Sequence, residues 1–185
     1  MAINKAPDEA ILPDLAEKGL KVIFCGMAAG KYSAKMEHHY AHPQNRFWSI
    51  LNEAGFTNKV IDPDKDKREE NFRLLLKQKI GLTDLIIDQS GNDDELHLDR
   101  TALRQSRYRL LLFIIKFQPD ILAFVGKKPA ELYLGHKVKY GMQPPTNDIG
   151  DTRLFVLPST SPAASRWWAE HKSYWRELRD LKKKR

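Results

Sequence analysis

Short apolar runs that end at glycine or at a turn recur along this chain, and they constrain its fold more than any other feature. Lys21–Gly26 reads KVIFCG and Asp120–Gly126 reads DILAFVG, the pattern of strands buried on both faces. Ile80–Ile87 and Arg153–Leu157 are two further strand candidates. Segments with helical periodicity separate the runs, and such long connections favour parallel pairing. The sequence therefore predicts a three-layer α/β/α fold with a central, mainly parallel, four-stranded sheet.

Helices are predicted between these strands. Asn45–Ala54 carries apolar residues at positions 47, 48, 50, 51 and 54, and Gly55 follows as a stop. Thr101–Phe117 has apolar residues at 103, 110, 111, 114 and 117, and Pro119 marks its end. The other predicted helices are Asn71–Gln78, Lys127–Leu134 and Ala164–Lys183.

The length of 185 residues and a hydrophobic fraction of 42% suit one domain with a substantial core. We expect that domain to span residues 21–183, with a short basic C-terminal tail. Residues 1–20 are predicted to be a lead-in with a short helical turn around Leu15–Lys18. No internal repeat is visible.

Charge and cysteine content limit the function classes only in part. The formal net charge of +7 suits an anionic partner, but the last five residues, LKKKR, hold four of the positive charges. The lone Cys25 excludes an internal disulfide and suits a reducing compartment. No apolar run approaches the roughly 18 residues of a membrane span, and the N-terminus lacks a signal-peptide layout. We expect a cytoplasmic protein with no membrane partner.

Small and polar residues follow the predicted strands, at the edge where parallel α/β sheets bind ligands. These strand ends are the Gly26–Gly30 turn, Thr83–Asp84, Gly126–Lys127 and Ser159–Ser161. The turn reads GMAAG, so a ligand could approach its backbone closely. It lacks both the P-loop spacing and the GxGxxG fingerprint of nucleotide-binding turns. The sequence therefore predicts one pocket built from several segments, without a known nucleotide motif.

Several polar and aromatic side chains have two interpretations. His38, His39 and His42 could suggest a metal site, but the only cysteine lies upstream in a predicted strand and no carboxylate sits at ligand spacing, so no metal or other cofactor is predicted. Phe47 and Trp48 are expected in the core, whereas Tyr40 lies in a polar loop and is a candidate for base stacking.

The remaining candidates are an amide, a carboxylate and a hydroxyl-rich turn. Asn45 could cap the following helix or orient a water or base, and Asp84 needs a partner or a solvated pocket. Ser159, Thr160, Ser161 and Ser165 could be turn residues or, with Arg166, could bind a phosphate.

Five segments together resemble the mismatch-specific uracil-DNA and thymine-DNA glycosylase family of the uracil-DNA glycosylase superfamily. The segments are FCGMAAG, HHYAHPQNRFWSILNEAGFT, IGLTDLI, FVGKKPAE and VLPSTSPAASR, in that order over about residues 21–168. The AHPxNRFW block followed by AGFT is the most specific of them. The resemblance implies a single α/β/α domain that flips a damaged base out of DNA and hydrolyses its N-glycosidic bond.

The resemblance also assigns the base-binding pocket. Gly26–Gly30 corresponds to the first active-site motif, usually Gly-Ile-Asn-Pro-Gly, with Ala28 in place of the water-positioning Asn and Ala29 in place of the Pro. The hypoxanthine-DNA glycosylase branch has a similar YYxHPRNxFW pattern, whose important Asn corresponds to Asn45. The implied pocket residues are Gly26, Met27, Ala28, Ala29, Gly30, Tyr32, Tyr40 and His42, with Tyr40 stacking on the flipped base. Asn45 and Asp84 are the implied catalytic residues.

Pro158–Arg166 resembles the second motif and implies a DNA-binding surface. The residue that would wedge into the duplex is bulky in relatives but corresponds to Ala163 here. A small wedge predicts a preference for single strands or mismatches, which cost less to open. The implied DNA contacts are Lys31, Lys127, Ser159, Thr160, Ser161, Ala163, Ser165 and Arg166.

The predicted function is therefore DNA repair by base excision. Uracil is the first expected substrate, with hypoxanthine or xanthine as further candidates because Ala28 replaces the usual Asn. One alternative is a domain that binds lesions or abasic sites in DNA without cutting. Another is an enzyme on the same fold that acts on free nucleosides or nucleotides.

Overall fold

A five-stranded sheet organises the protein. The structure, a computed structural model, describes residues 10–92 and 94–183, with only the backbone described for 165–170. The strands are β1 Val22–Ala29, β2 Ile80–Ser90, β3 Ile121–Val125, β4 Gly141–Met142 and β5 Arg153–Leu157. Their order is β2-β1-β3-β5-β4, and the pairs β1–β2, β1–β3 and β3–β5 are parallel. The predicted class is confirmed.

The predicted strand number is wrong by one. Gly141 and Met142 pair antiparallel with Val156 and Phe155 of β5, which adds a short edge strand. A two-residue strand inside a Gly- and Pro-containing connection has no alternation of apolar residues, so the sequence pattern could not reveal it.

Helices cover both faces of the sheet. They are α1 Lys31–Lys35, α2 Phe47–Glu53, α3 Arg68–Lys77, α4 Arg100–Phe117, α5 Lys127–Leu134 and α6 Trp168–Lys183. Residues of α2, α3 and α6 pack on one face, and residues of α4 and α5 on the other. Boundaries differ from the predictions by a few residues; α6, for example, begins at Trp168 because residues 162–167 form a 3-10 helix.

Aromatic side chains form the centre of one core layer. Phe24 of β1 meets Phe47 edge-to-face at 5.4 Å between ring centroids and stacks on Trp175 of α6 at 5.7 Å. Trp48 is also buried. The prediction that Phe47 and Trp48 belong to the core is confirmed, and their burial fixes α2 beside the carboxyl end of β1.

Both strands next to the predicted pocket are longer than expected. The segment predicted as a turn at Gly26–Gly30 is strand as far as Ala29, with a register shift between Ala28 and Ala29. Glycine and alanine are poor strand formers, so their clustering predicted that the strand ends at Gly26, three residues before its observed end at Ala29. Similarly, Thr83–Asp84 is not a strand end, because β2 continues to Ser90.

The N-terminal segment is extended and covers the β2 edge. Leu15 and Leu82 exchange backbone hydrogen bonds at 2.8 and 2.9 Å, and the Ile11 N–H donates to the Ile87 carbonyl at 2.7 Å. The predicted helical turn around Leu15–Lys18 is therefore wrong. Covering the edge satisfies backbone groups that would otherwise be unpaired.

The N-terminal segment approaches β2 closely at Gly81. A Cβ on Gly81 would lie 2.5 Å from the Leu15 carbonyl oxygen and 2.8 Å from Leu20 Cδ1. Gly81→Ala should therefore displace the segment and lower the free energy of unfolding by about 1–3 kcal/mol, as overpacking does elsewhere.

Urea unfolding measures the effect, and Gly30→Ala is the matched control. A Cβ on Gly30 meets nothing within 4 Å and its φ is −66°. We expect the free energy of unfolding of Gly30→Ala to lie within about 0.5 kcal/mol of the wild-type value. Equal stabilities for the two variants would contradict the proposed role of Gly81.

Candidate active site

A cleft of about 1070 Å³ opens at the carboxyl edge of the sheet. It collects nearly all of the residues that the sequence predicted for catalysis, base binding and DNA binding, although these come from distant segments. The predicted residues that line it are Gly26, Met27, Ala28, Ala29, Gly30, Lys31, Tyr32, Tyr40, His42, Asn45, Asp84, Lys127, Ser159, Thr160, Ser161 and Ala163. Ser165 and Arg166 lie in the 162–167 helix, and their side chains fall outside the described part of the structure.

Asp84 reaches the cleft from the middle of β2 because the residue beside it is glycine. Gly26 and Asp84 are paired in the parallel register of β1 and β2. A Cβ on Gly26 would lie only 2.2 Å from Asp84 Oδ1, so any side chain there would displace the carboxylate. Asp84 is only 6% exposed. The absence of a side chain at Gly26 thus creates the space that the buried carboxylate occupies.

His39 holds the other oxygen of Asp84. Its Nδ1 lies 3.5 Å from Asp84 Oδ2, and its Nε2 lies 3.0 Å from the Pro13 carbonyl oxygen. Since a carbonyl can only accept, Nε2 must carry a proton. Burial lowers the pKa of His39, but the Asp84 carboxylate and the Pro13 carbonyl outweigh it and raise that pKa overall. The Asp84 carboxylate therefore stabilises the protonated form of the His39 ring.

Sequence reasoning considered His39 only as a metal ligand and rejected that role. The signal that could have identified it is the buried Asp84, which requires a partner. Nothing local in the sequence connects positions 39 and 84.

Tyr40 forms one wall of the cleft in a costly backbone conformation. Its φ is +54°, in the left-handed region that bulky residues seldom adopt. Its ring stacks on Phe47 with centroids 3.8 Å apart and planes 11° apart, so one ring face is already covered. The hydroxyl is buried without a hydrogen-bond partner among the described residues. Burial, then the nearby Asp84 and Cys25, raise the pKa of Tyr40 well above its ordinary value, which keeps the hydroxyl a neutral donor.

Asn45 lies at the start of α2. Its Oδ1 accepts a hydrogen bond at 3.0 Å from the Phe47 N–H, the first N–H of α2, so Asn45 satisfies a donor at the helix N-terminus although Arg46 is the N-cap residue. This bond uses the amide oxygen and leaves the amide nitrogen as the group that a ligand could engage. His42 nearby is exposed, and its ring meets the Tyr32 ring edge-on at 5.5 Å.

His38 is a buried structural residue. Its Nε2 lies 3.2 Å from the Asn71 amide nitrogen and its Nδ1 lies 3.0 Å from the His39 carbonyl oxygen. An amide nitrogen donates and a carbonyl accepts, so the ring is neutral with its proton on Nδ1. Burial, the largest cause, lowers the pKa of His38 accordingly.

The part of the chain with described side chains, residues 10–92, 94–164 and 171–183, offers neither a metal-ligand cluster nor a membrane-spanning helix. No group of three or more His, Cys, Asp or Glu residues in these ranges is arranged to hold a metal ion. Within the same ranges, none of the helices combines the length and apolar character needed to cross a membrane.

Lysines and a hydroxyl-rich turn surround the mouth of the cleft. Lys31 forms an exposed ion pair with Glu95 of the loop after β2, and Lys127 lies over the Tyr140 ring at 4.4 Å. Ser159 Oγ accepts from the Ser161 N–H at 3.2 Å, which shapes the turn. The loop that carries Glu95 and the additional lysines Lys35 and Lys128 also line the cleft, and sequence reasoning did not include them.

These features define an α/β protein with a ligand cleft at the carboxyl edge of its sheet and a buried carboxylate within the cleft. Residues 13–181 match the Uracil DNA glycosylase superfamily, and the chain belongs to that superfamily. Membership supports a DNA glycosylase.

A solved structure agrees with this fold. The chain is similar to the solution NMR structure of a candidate uracil DNA glycosylase from Methanosarcina acetivorans, with 19% sequence identity and a TM-score of 0.56. The match covers 92% of this chain and 96% of the other. At this identity the likeness concerns the fold.

The His39–Asp84 pair can be tested by NMR titration of the imidazole. We expect His39 to titrate above the ordinary pKa of about 6.5 in wild type and below it in Asp84→Asn, because burial then acts without the carboxylate. His38 is the internal control, since its lowered pKa arises mainly from burial. The same His39 midpoint in both proteins would contradict the pairing.

The sign of the pH effect on stability follows from the raised pKa. A His pKa that is higher in the folded than in the unfolded state stabilises the fold fully below about pH 6.5 and loses that contribution as the pH rises through the folded value. The stability advantage of wild type over Asp84→Asn should therefore shrink as the pH is raised through the His39 midpoint.

Proposed function

We propose that the protein is a monofunctional DNA glycosylase that flips a deaminated base, uracil first, and hydrolyses its N-glycosidic bond to leave an abasic site. The observation that carries this proposal is the buried Asp84 carboxylate, held at the floor of the cleft between Gly26 and His39. Membership of the superfamily supports the same class of reaction.

The chemistry requires stabilisation of two developing charges. The base leaves as an anion, while the sugar becomes oxocarbenium-like, and a water must attack the sugar carbon. A buried carboxylate is suited to stabilise the cationic sugar and to orient that water, because water exclusion strengthens its electrostatic effect. The Ala28 methyl group can do neither, so Asp84 is the group in this cleft that takes over the role of the missing Asn.

Tyr40 and Asn45 are suited to bind the base. Tyr40 offers a buried neutral hydroxyl without a partner among the described residues, which can donate to a carbonyl oxygen of the base. Tyr40 lines the cleft, and the face of its ring opposite Phe47 is the one proposed to stack on the base. The Asn45 amide nitrogen is a second donor, and the segment from Met27 to Tyr32 forms the adjoining wall.

The rim is suited to hold the DNA backbone. Lys31, Lys35, Lys127 and Lys128 line the cleft and can neutralise phosphates. Ala163 is exposed at the same rim and is too small to fill the gap left by a flipped base. Single-stranded or mismatched DNA is therefore the proposed preferred substrate.

Asp84→Asn should lower the single-turnover rate of uracil excision by about 10²- to 10⁴-fold, the usual contribution of such a positioned group. Asn45→Ala is the comparison variant. It should lower the free energy of unfolding by about 1 kcal/mol, because the first N–H of α2 loses its acceptor. It should lower the excision rate less than Asp84→Asn does. The measurement uses oligonucleotides containing uracil, hypoxanthine or xanthine, followed by alkali cleavage of abasic sites.

Two outcomes would overturn parts of this proposal. Full activity of the folded Asp84→Asn protein would remove Asp84 from the mechanism. Specific binding to damaged DNA without abasic product on any of the three bases would favour a lesion-binding domain, a role that Ala28 in the first motif makes physically plausible.

A further inference from the structure

A second cavity, of about 780 Å³, lies between α4, the end of α5 and residues 146–149. It shares no lining residue with the cleft that contains Asp84. Its volume falls within the roughly 300–1,000 Å³ of small-molecule sites. The cavity is therefore a separate candidate for ligand binding.

Two tyrosines supply aromatic surface to this cavity. Tyr108 on α4 is 62% exposed and stands at its lip. Tyr133 on α5 is partly buried, with its ring 5.5 Å from the Phe124 ring. Burial raises the pKa of Tyr133 to about 12, so its hydroxyl remains a neutral hydrogen-bond donor. Leu111 and Ile149 add apolar surface to the lining.

Two arginines supply positive charge. Arg107 donates from Nε to the Leu132 carbonyl, and its guanidinium lies beside Gly135, where an added Cβ would be 3.5 Å from one terminal nitrogen. The hydrogen bond to the Leu132 carbonyl orients the guanidinium and leaves its terminal nitrogens able to donate further hydrogen bonds. Arg104 is exposed on the preceding turn of α4. Asp148 is the single carboxylate among the lining residues.

We propose that this cavity binds a ligand of nucleotide chemistry, with an aromatic base beside Tyr108 and Tyr133 and a phosphate at Arg104 and Arg107. Arginine forks match phosphate geometry, and bases stack on tyrosine. An apolar ligand would leave the arginines unmatched, whereas inorganic phosphate would leave the aromatic and apolar surface uncovered. The ligand can be a free nucleotide or one nucleotide of a DNA strand, and the site is independent of base excision at Asp84.

Titration with dTMP, thymidine and inorganic phosphate tests the two halves of the ligand. We expect dTMP to bind more tightly than either fragment and to shift the backbone amide NMR signals of residues 104–108 and 133–136.

The double variant Arg104→Gln, Tyr108→Ala should weaken binding by at least about tenfold, equivalent to about 1.4 kcal/mol. Both side chains are exposed, so the fold should be preserved. Lys116→Gln is the matched control, because Lys116 is an exposed cation of the same helix outside the cavity.

An undamaged twelve-residue oligothymidylate distinguishes the two sources of the ligand. Weaker oligonucleotide binding in the double variant, with no binding of free dTMP to wild type, assigns the site to a DNA strand. Binding of dTMP that the double variant weakens assigns it to a free nucleotide. The proposal is overturned if neither ligand depends on Arg104 and Tyr108, or if thymidine binds as tightly as dTMP. Excision of uracil by wild type, measured separately, reports on the proposed function alone.

Discussion

The close approach of Asp84 to Gly26 is the constraint on which the rest of the cleft depends. A carboxylate in the middle of a buried parallel strand is costly to bury and needs both space and a polar partner. Here the neighbouring residue, Gly26, has no side chain, and an added Cβ would lie 2.2 Å from the carboxylate oxygen. The glycine therefore provides the space, and His39 provides the polar partner.

Contacts from the N-terminal segment and from α4 hold Asp84 and its partner His39 in place. The extended N-terminal segment places the Pro13 carbonyl against His39, and its Asp14 forms an ion pair with Arg109 of α4. Arg109 also donates to the Thr83 hydroxyl and to the Asp84 carbonyl, each at 3.0 Å. Backbone and side chain of Asp84 are thus held from opposite faces of the sheet, which is the rigid positioning that catalytic groups require.

Local sequence patterns were sufficient for four of the five strands and for the main helices, and the resemblance to a family supplied the set of residues that meets at the cleft. They failed where a long-range contact decides the structure. β4 exists only because two residues pair with β5, and β1 continues past Gly26 because β2 continues beside it. His39 could not be linked to Asp84, because no periodicity relates positions 45 residues apart in the chain. The resemblance to a family identified the residues of the cleft. Only the structure shows that Gly26 and His39 position the Asp84 carboxylate.

The rate of uracil excision by Gly26→Ala tests the central claim most directly. A methyl group at this position cannot coexist with the observed position of the Asp84 carboxylate. We expect Gly26→Ala to remain folded by circular dichroism and to excise uracil at the rate of Asp84→Asn, while Lys116→Gln, an exposed substitution outside the cleft, keeps the wild-type rate. A folded Gly26→Ala protein that excises uracil at the wild-type rate would contradict the proposed role of Asp84.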